Sequence, residues 1–196
     1  MLINEEKGYI FRGTPKCAST SIITTLLLDS GVTIEGHVHD MAPMSYPRII
    51  ANGEISEVDS YHSNPYLFKF SVIRNPLARL VSAFNNRNPE YEGNISEFNY
   101  FAMCLFRGEI EDWHYFPQTH QNRVKYCQHD FVLLFENLAE DWQHVLGNTS
   151  VSLQLCHENS SAEVDYLSYY DAVLKLQAEQ YYSKDLEIYK LISGRN

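Results

Sequence analysis

Residues 8–31 read GYIFRGTPKCASTSIITTLLLDSG. Gly8–Arg12 is short, aromatic and β-prone, GTPKC is a loop, and Ser19–Leu28 runs as an apolar helical stretch that Gly31 ends. The order is strand, loop, helix. It recurs downstream: Leu67–Ile73 (LFKFSVI) reads as a buried strand, and Pro76 opens a helix over Pro76–Asn86 in the first turn, where proline is best tolerated. A third unit follows, with Phe131–Phe135 (FVLLF) as an apolar run of strand length and ENLAEDWQHVLG as a helix closed by Gly147. Ile95–Arg107 adds a further helix, and Tyr169–Ile192 carries apolar residues at helical spacing in one helix or two. Alternating strands and helices imply an α/β fold whose central parallel sheet is flanked by helices.

Length and composition bound the rest. A chain of 196 residues points to one domain spanning 1–196, and neither repeats nor a Gly/Ser linker divide it. Lys and Arg number 15 against 25 Asp and Glu, a formal charge of −10, so no basic surface field suits nucleic acid or anionic membrane. Any anionic ligand must use a local basic site. No window has the length of a membrane span, and the opening MLINEEKGYIFRGTPK lacks a signal-peptide pattern, so a soluble cytoplasmic protein is expected. The cysteines, Cys17, Cys104, Cys127 and Cys156, form no CxxC pair and are expected to be reduced and buried. Val32–Pro65, between the first two units, reads as a long functional connection.

Two motifs carry chemistry. Thr14-Pro15-Lys16-Cys17-Ala18-Ser19-Thr20-Ser21 joins a buried strand to a helix N-terminus, where orphan N–H groups, the positive dipole end, three successive hydroxyl or small residues and one lysine suit an anion. Ala18 lets that anion approach the backbone. The GxxxxGK[ST] pattern of a Walker A loop is absent, and hydroxyls at a helix start also serve as simple N-caps. In the second motif, VIRNPLARLVSAF over residues 72–84, Arg74 leaves a strand end, and Ser82 sits on the helix that Pro76 opens. Arg79, on the same helix, is expected to pair with a carboxylate and pack its stem on the sheet. Two anion cradles at neighbouring strand ends fit a nucleoside with phosphates at both ends, held outside the strand C-termini.

The pair PKCASTS and VIRNPLARLVSAF closely resembles the 5′-phosphosulfate loop and 3′-phosphate motif of sulfotransferases, in the carbohydrate and uronyl 2-O branch (sulfotransferase family 2). The resemblance continues through His114-Tyr115-Phe116-Pro117-Gln118, then Asp130-Phe131-Val132 with Phe135-Glu136-Asn137-Leu138, then Tyr169-Tyr170-Asp171 with the run Tyr181–Tyr189, so the blocks cover most of the chain. It implies a P-loop-like domain that binds 3′-phosphoadenosine 5′-phosphosulfate (PAPS), moves its sulfuryl group to an acceptor hydroxyl and releases the bisphosphate product PAP, with no metal. The acceptor it implies is a small molecule or, by the branch, a carbohydrate or glycoconjugate. By position, Lys16, Cys17, Ala18, Ser19, Thr20 and Ser21 map to the 5′ loop, and Arg74 with Ser82 to the 3′-phosphate. Lys16 is the candidate for stabilising the leaving phosphate.

The base is open, since the family uses a histidine or a carboxylate: in Gly36-His37-Val38-His39-Asp40 His39 is favoured over His37, and His62 is a weaker candidate. His-x-His also has the look of a metal site, but no third ligand stands near it. His114 and Gln118 are candidates for acceptor binding. Asp171, Tyr181, Asp185 and Tyr189 are assigned to packing of an amphipathic terminal helix. Other readings are a nucleotide kinase or NTPase with a variant P-loop, against which the missing Gly-Lys-Ser/Thr counts, and a silent PAP-binding protein.

Overall fold

The computed structural model describes residues 1–34, 48–49, 64–119, 129–156 and 165–194. Its strands are β1 (Leu2–Asn4), β2 (Tyr9–Arg12), β3 (Arg48–Ile49), β4 (Phe68–Ile73) and β5 (Phe131–Leu134). The helices are α1 (Ser19–Asp29), α2 (Pro76–Arg87), α3 (Ile95–Phe106), α4 (Leu138–Asn148), α5 (Ala172–Tyr181) and α6 (Ser183–Ser193).

The described strands form one sheet in the order β3-β1-β2-β4-β5. Its functional half, β2-β4-β5, is parallel as expected, with Arg12 opposite Ser71 and Ile73 opposite Leu134. The other half departs from the expected parallel sheet: β1 pairs antiparallel with both β2 and β3. A parallel neighbour needs a long crossover, whereas the short segment between Asn4 and Tyr9 permits a hairpin, with Gly8 at φ 75° and the Lys7 N–H donating to Asn4 Oδ1. Because β2, β4 and β5 run the same way, the loops after Arg12, Ile73 and Leu134 emerge at one edge.

Side-chain alternation builds a core on each face. Tyr9, Phe11, Phe70, Val72 and Leu133 pack with Ile22, Leu26 and Leu27 of α1 and with Trp142 and Val145 of α4. On the opposite face, Ile73, Val132 and Leu134 meet Ile192 of α6. A third cluster lies among helices, where Leu80, Val81 and Phe84 of α2 pack with Phe98 and Ala102 of α3, Leu174 of α5 and Tyr182.

Local chemistry sets the helix ends. Asn75 precedes Pro76, and its side chain accepts from the Leu77 and Ala78 N–H groups. Asn94 caps α3 through the Glu97 N–H. The terminal segment is two helices, interrupted at Tyr182, a fully buried residue whose hydroxyl donates to the Tyr115 carbonyl at 2.6 Å. The helix over α4 runs past Gly147 to Asn148. Cys17 is a buried free thiol as expected, while Cys104 and Cys156 are free but only half-buried. Among the described residues no helix is long and apolar enough to cross a membrane.

Candidate active site

The loop between β2 and α1 is shaped by backbone conformations that L-residues rarely adopt. Lys16 (φ 63°) and Ala18 (φ 57°) are both left-handed, at a cost of roughly 1–2 kcal/mol each. Strain of this kind persists where its surroundings enforce it. Here the Cys17 N–H and the Ser19 hydroxyl both bond to the Thr14 carbonyl, at 3.3 and 2.6 Å, folding the loop over itself. Gly13 permits the fold, since a Cβ there would stand 2.9 Å from Ser19 Oγ.

The N-cap explanation of the hydroxyls does not hold. Ala18 occupies the capping position of α1, no side chain caps the helix, and the first turn carries no acidic residue. Ser19 turns its hydroxyl back to Thr14, Thr20 is half-buried, and Ser21 is 5% exposed on the packed face. The helix start therefore keeps its positive end unneutralised by its own side chains. Beside it, the buried Thr14 hydroxyl has no hydrogen-bond partner among the described residues.

The loop after β4 meets this one directly. Arg74 Nη1 donates to the Lys16 carbonyl at 3.2 Å, and its guanidinium lies over the Phe135 ring, 4.1 Å from the centroid. Arg74 Nε is buried without a partner, and among the described residues neither Arg74 nor Lys16 forms an ion pair with a carboxylate. Burial, then the nearby Arg74 charge, holds the Lys16 amine below its ordinary value. Burial likewise works against the charge of Arg74. Two partly buried cations, with Glu136 acting on Arg74 only from beyond ion-pair distance among the described residues, constitute a site that gains by taking up an anion.

Gln118 joins the two loops. Its Oε1 accepts from the Arg74 N–H (3.1 Å) and the Cys17 thiol (3.3 Å), and its Nε2 donates to the Arg74 carbonyl (2.9 Å). Gln118 is 1% exposed, so this candidate for acceptor binding has its amide committed inside the protein. Cys17 is wholly buried and its thiol is pushed up to about 12, chiefly by burial, which makes it a structural donor and not a nucleophile.

Arg79 also differs from expectation. It is 1% exposed and among the described residues pairs with no carboxylate; its Nη1 and Nη2 donate to the carbonyls of His114 and Phe116. A guanidinium with several donors suits a loop presenting carbonyls. His114 is half-buried, its Nδ1 lies 2.7 Å from Asp112 Oδ1, and Trp113 lies against its ring. Ser82 sits half-buried on α2, beyond Arg79. His37, His39 and His62 lie outside the described residues. Sequence reasoning missed Asp185, which is fully buried and accepts from the Gln118 and Thr119 N–H groups. It also gave no part to Phe135.

The model of the sulfotransferase family matches residues 1–191. The chain belongs to the sulfotransferase family. No curated protein and no solved structure matches it. Membership makes this chain a sulfotransferase enzyme, with PAPS as the family's donor, PAP as the product and a small molecule or glycan as acceptor. The residues present suit such a donor: among the described residues an uncapped helix start, the unpartnered Thr14 hydroxyl and Arg74 Nε, and two cations without carboxylate ion pairs lie in adjoining loops. Among the described residues no cluster of three or more His, Cys, Asp or Glu is arranged to hold a metal ion.

Proposed function

We propose that this sulfotransferase transfers the sulfuryl group of PAPS to a hydroxyl of a carbohydrate or glycoconjugate, as the carbohydrate and uronyl 2-O branch does. The observation that carries the donor assignment is the bond between the two cradles: Arg74 holds the Lys16 carbonyl while among the described residues neither cation is ion-paired with a carboxylate. Thr14 to Ser21 and the start of α1 hold the 5′ end, and Arg74 with Ser82 holds the 3′-phosphate. The carbohydrate assignment rests on the resemblance of five sequence blocks to that branch.

When bound, PAPS supplies an activated sulfuryl group whose S–O bond to phosphate breaks as the acceptor oxygen bonds to sulfur. The chain has two tasks. Lys16 places a positive charge where negative charge grows on the 5′-phosphate, and the first-turn N–H groups of α1 are set beforehand for the same purpose. His39, with His37 beside it in sequence, takes the proton of the attacking hydroxyl. His114, its Nδ1 bonded to Asp112, is the candidate to meet an acceptor hydroxyl through its other nitrogen. Gln118 is spent on the loops and acts behind the site.

The test is transfer of labelled sulfuryl from PAPS to a panel of neutral sugars, uronate-containing oligosaccharides and phenols. Transfer to a carbohydrate hydroxyl, lost in Lys16→Ala, is expected. Transfer confined to phenols would overturn the acceptor class.

A further inference from the structure

The two anion-binding loops belong to separate strand–helix units, so their spacing must be fixed by something other than the local chain. We propose that Gln118 and Asp185 are positioning residues for the donor site: helix α6, through the carboxylate of Asp185, sets the segment that locks the Arg74 loop against the Lys16 loop. The proposal rests on the reading of those loops as the donor's phosphate sites.

The Gln118 amide stands in for a neighbouring strand. It satisfies both the N–H and the C=O of one residue, Arg74, at 3.1 and 2.9 Å, just where β4 ends and its ladder gives out. The same Oε1 receives the Cys17 thiol, from the residue between the two left-handed positions. One side chain therefore bonds both cradles.

Gln118 is in turn held by Asp185. Asp185 Oδ2 accepts from the Gln118 N–H at 2.6 Å, while Oδ1 accepts from the Thr119 N–H at 2.9 Å and the Thr119 hydroxyl at 2.8 Å. Asp185 is 0% exposed and among the described residues has no cation within ion-pair distance. These bonds and its place in the first turn of α6, near the positive helix end, offset the burial of its charge. Arg79 fixes the same loop from α2 through the His114 and Phe116 carbonyls, so the loop is held from two sides.

Such a network has a functional signature distinct from packing. Misplacing a preorganised group by about 1 Å costs on the order of 10²-fold in rate. Loss of the Gln118 amide frees the Arg74 backbone and with it the direction of the guanidinium, so the 3′-phosphate contact suffers more than binding at the 5′ end. A purely structural role would lower the melting temperature and weaken every nucleotide alike.

The experiment uses the full chain and the variants Gln118→Met, Gln118→Glu, Asp185→Asn and Thr119→Val. Calorimetry gives affinities for adenosine 3′,5′-bisphosphate and 5′-AMP, kinetics give kcat and KM for PAPS, and thermal unfolding reports the fold. Gln118→Met is expected to lower the bisphosphate-to-AMP affinity ratio at least tenfold. Gln118→Glu, which keeps the acceptor for Arg74 N–H and Cys17 but loses the donor, falls between it and the wild type, and Thr119→Val changes the ratio least. If Gln118→Met does not fold, Asp185→Asn carries the test, with the same shift in ratio expected. A folded Gln118→Met or Asp185→Asn with an unchanged ratio and unchanged KM for PAPS overturns the proposal. A wild type with no preference for the bisphosphate refutes the donor-site reading itself, before any substitution is made.

Discussion

Replacing Arg74 by alanine removes a guanidinium that faces three ways: Nη1 on the Lys16 carbonyl, its plane on Phe135, and a buried Nε without a partner. The first two contacts belong to the apoprotein, so their loss falls on stability, at about 1–2 kcal/mol for one hydrogen bond and one cation–π contact. The donors that remain face the donor's 3′-phosphate in our account. A charge-assisted hydrogen bond contributes about 1.5–3 kcal/mol, and part of this fork is already spent on Lys16, so we take about 2–3 kcal/mol for the loss. That corresponds to a rise of about 30- to 150-fold in KM for PAPS. Because the 3′-phosphate does not react, kcat should change far less. Arg74→Lys keeps the charge without the fork and should recover only part of the loss. Steady-state kinetics with PAPS varied at saturating acceptor, alongside thermal unfolding, decides the matter. An Arg74→Ala enzyme that folds and keeps its KM for PAPS would refute the assignment, as would a loss confined to kcat.

Lys16→Ala should lower kcat by about 10²- to 10³-fold, the effect of losing one preorganised charge donor, measured by labelled-sulfuryl transfer. Burial and Arg74 hold the Lys16 pKa down, so the unfolded chain binds this proton more tightly; the group costs stability below its folded pKa, and the cost fades as pH rises toward about 10.4. A bound phosphate reverses that shift. Bisphosphate binding at alkaline pH should therefore take up protons, seen as a buffer-dependent enthalpy that Lys16→Met abolishes. Asn75→Ala removes the cap of α2 and should cost about 1 kcal/mol, or about 2–4 °C in melting temperature by calorimetry. Of His39→Ala and His37→Ala, the former should lose about 10²- to 10⁴-fold in kcat; activity retained by both below about pH 8 would place the base elsewhere.

The parallel half of the sheet was legible because its strands are short apolar runs and the helices that follow start or stop at Pro76, Gly31 and similar residues whose backbone preferences are local. The antiparallel half was not. Leu2–Asn4 is three residues long beside the charged run Glu5-Glu6-Lys7, too short for periodicity to speak, and the Arg48–Ile49 strand is two residues inside a segment without pattern. At the site, Lys16 in the loop before α1 and Arg74 at the end of β4 are legible as basic residues of two strand-to-helix loops. Their mutual hydrogen bond is not, since 58 residues separate them in sequence. In the sequence Asp185 is one polar position on an amphipathic helix; its partners Gln118 and Thr119 are 67 and 66 residues away, and no helical spacing signals them. Arg79 was expected to seek a carboxylate because arginine charge usually does, yet the loop beside it offers two carbonyls.

If the Thr14–Ser21 and Arg74 loops together bind a nucleoside with phosphates at both ends, as we propose, each phosphate adds to the affinity. Calorimetric titration of the wild-type chain with adenosine 3′,5′-bisphosphate, with 5′-AMP and with ATP plus magnesium tests it most directly. Micromolar binding of the bisphosphate is expected, with at least tenfold weaker binding of 5′-AMP, a gap of about 1.4 kcal/mol or more. Equal affinity for the two, or a preference for ATP with magnesium, would contradict it.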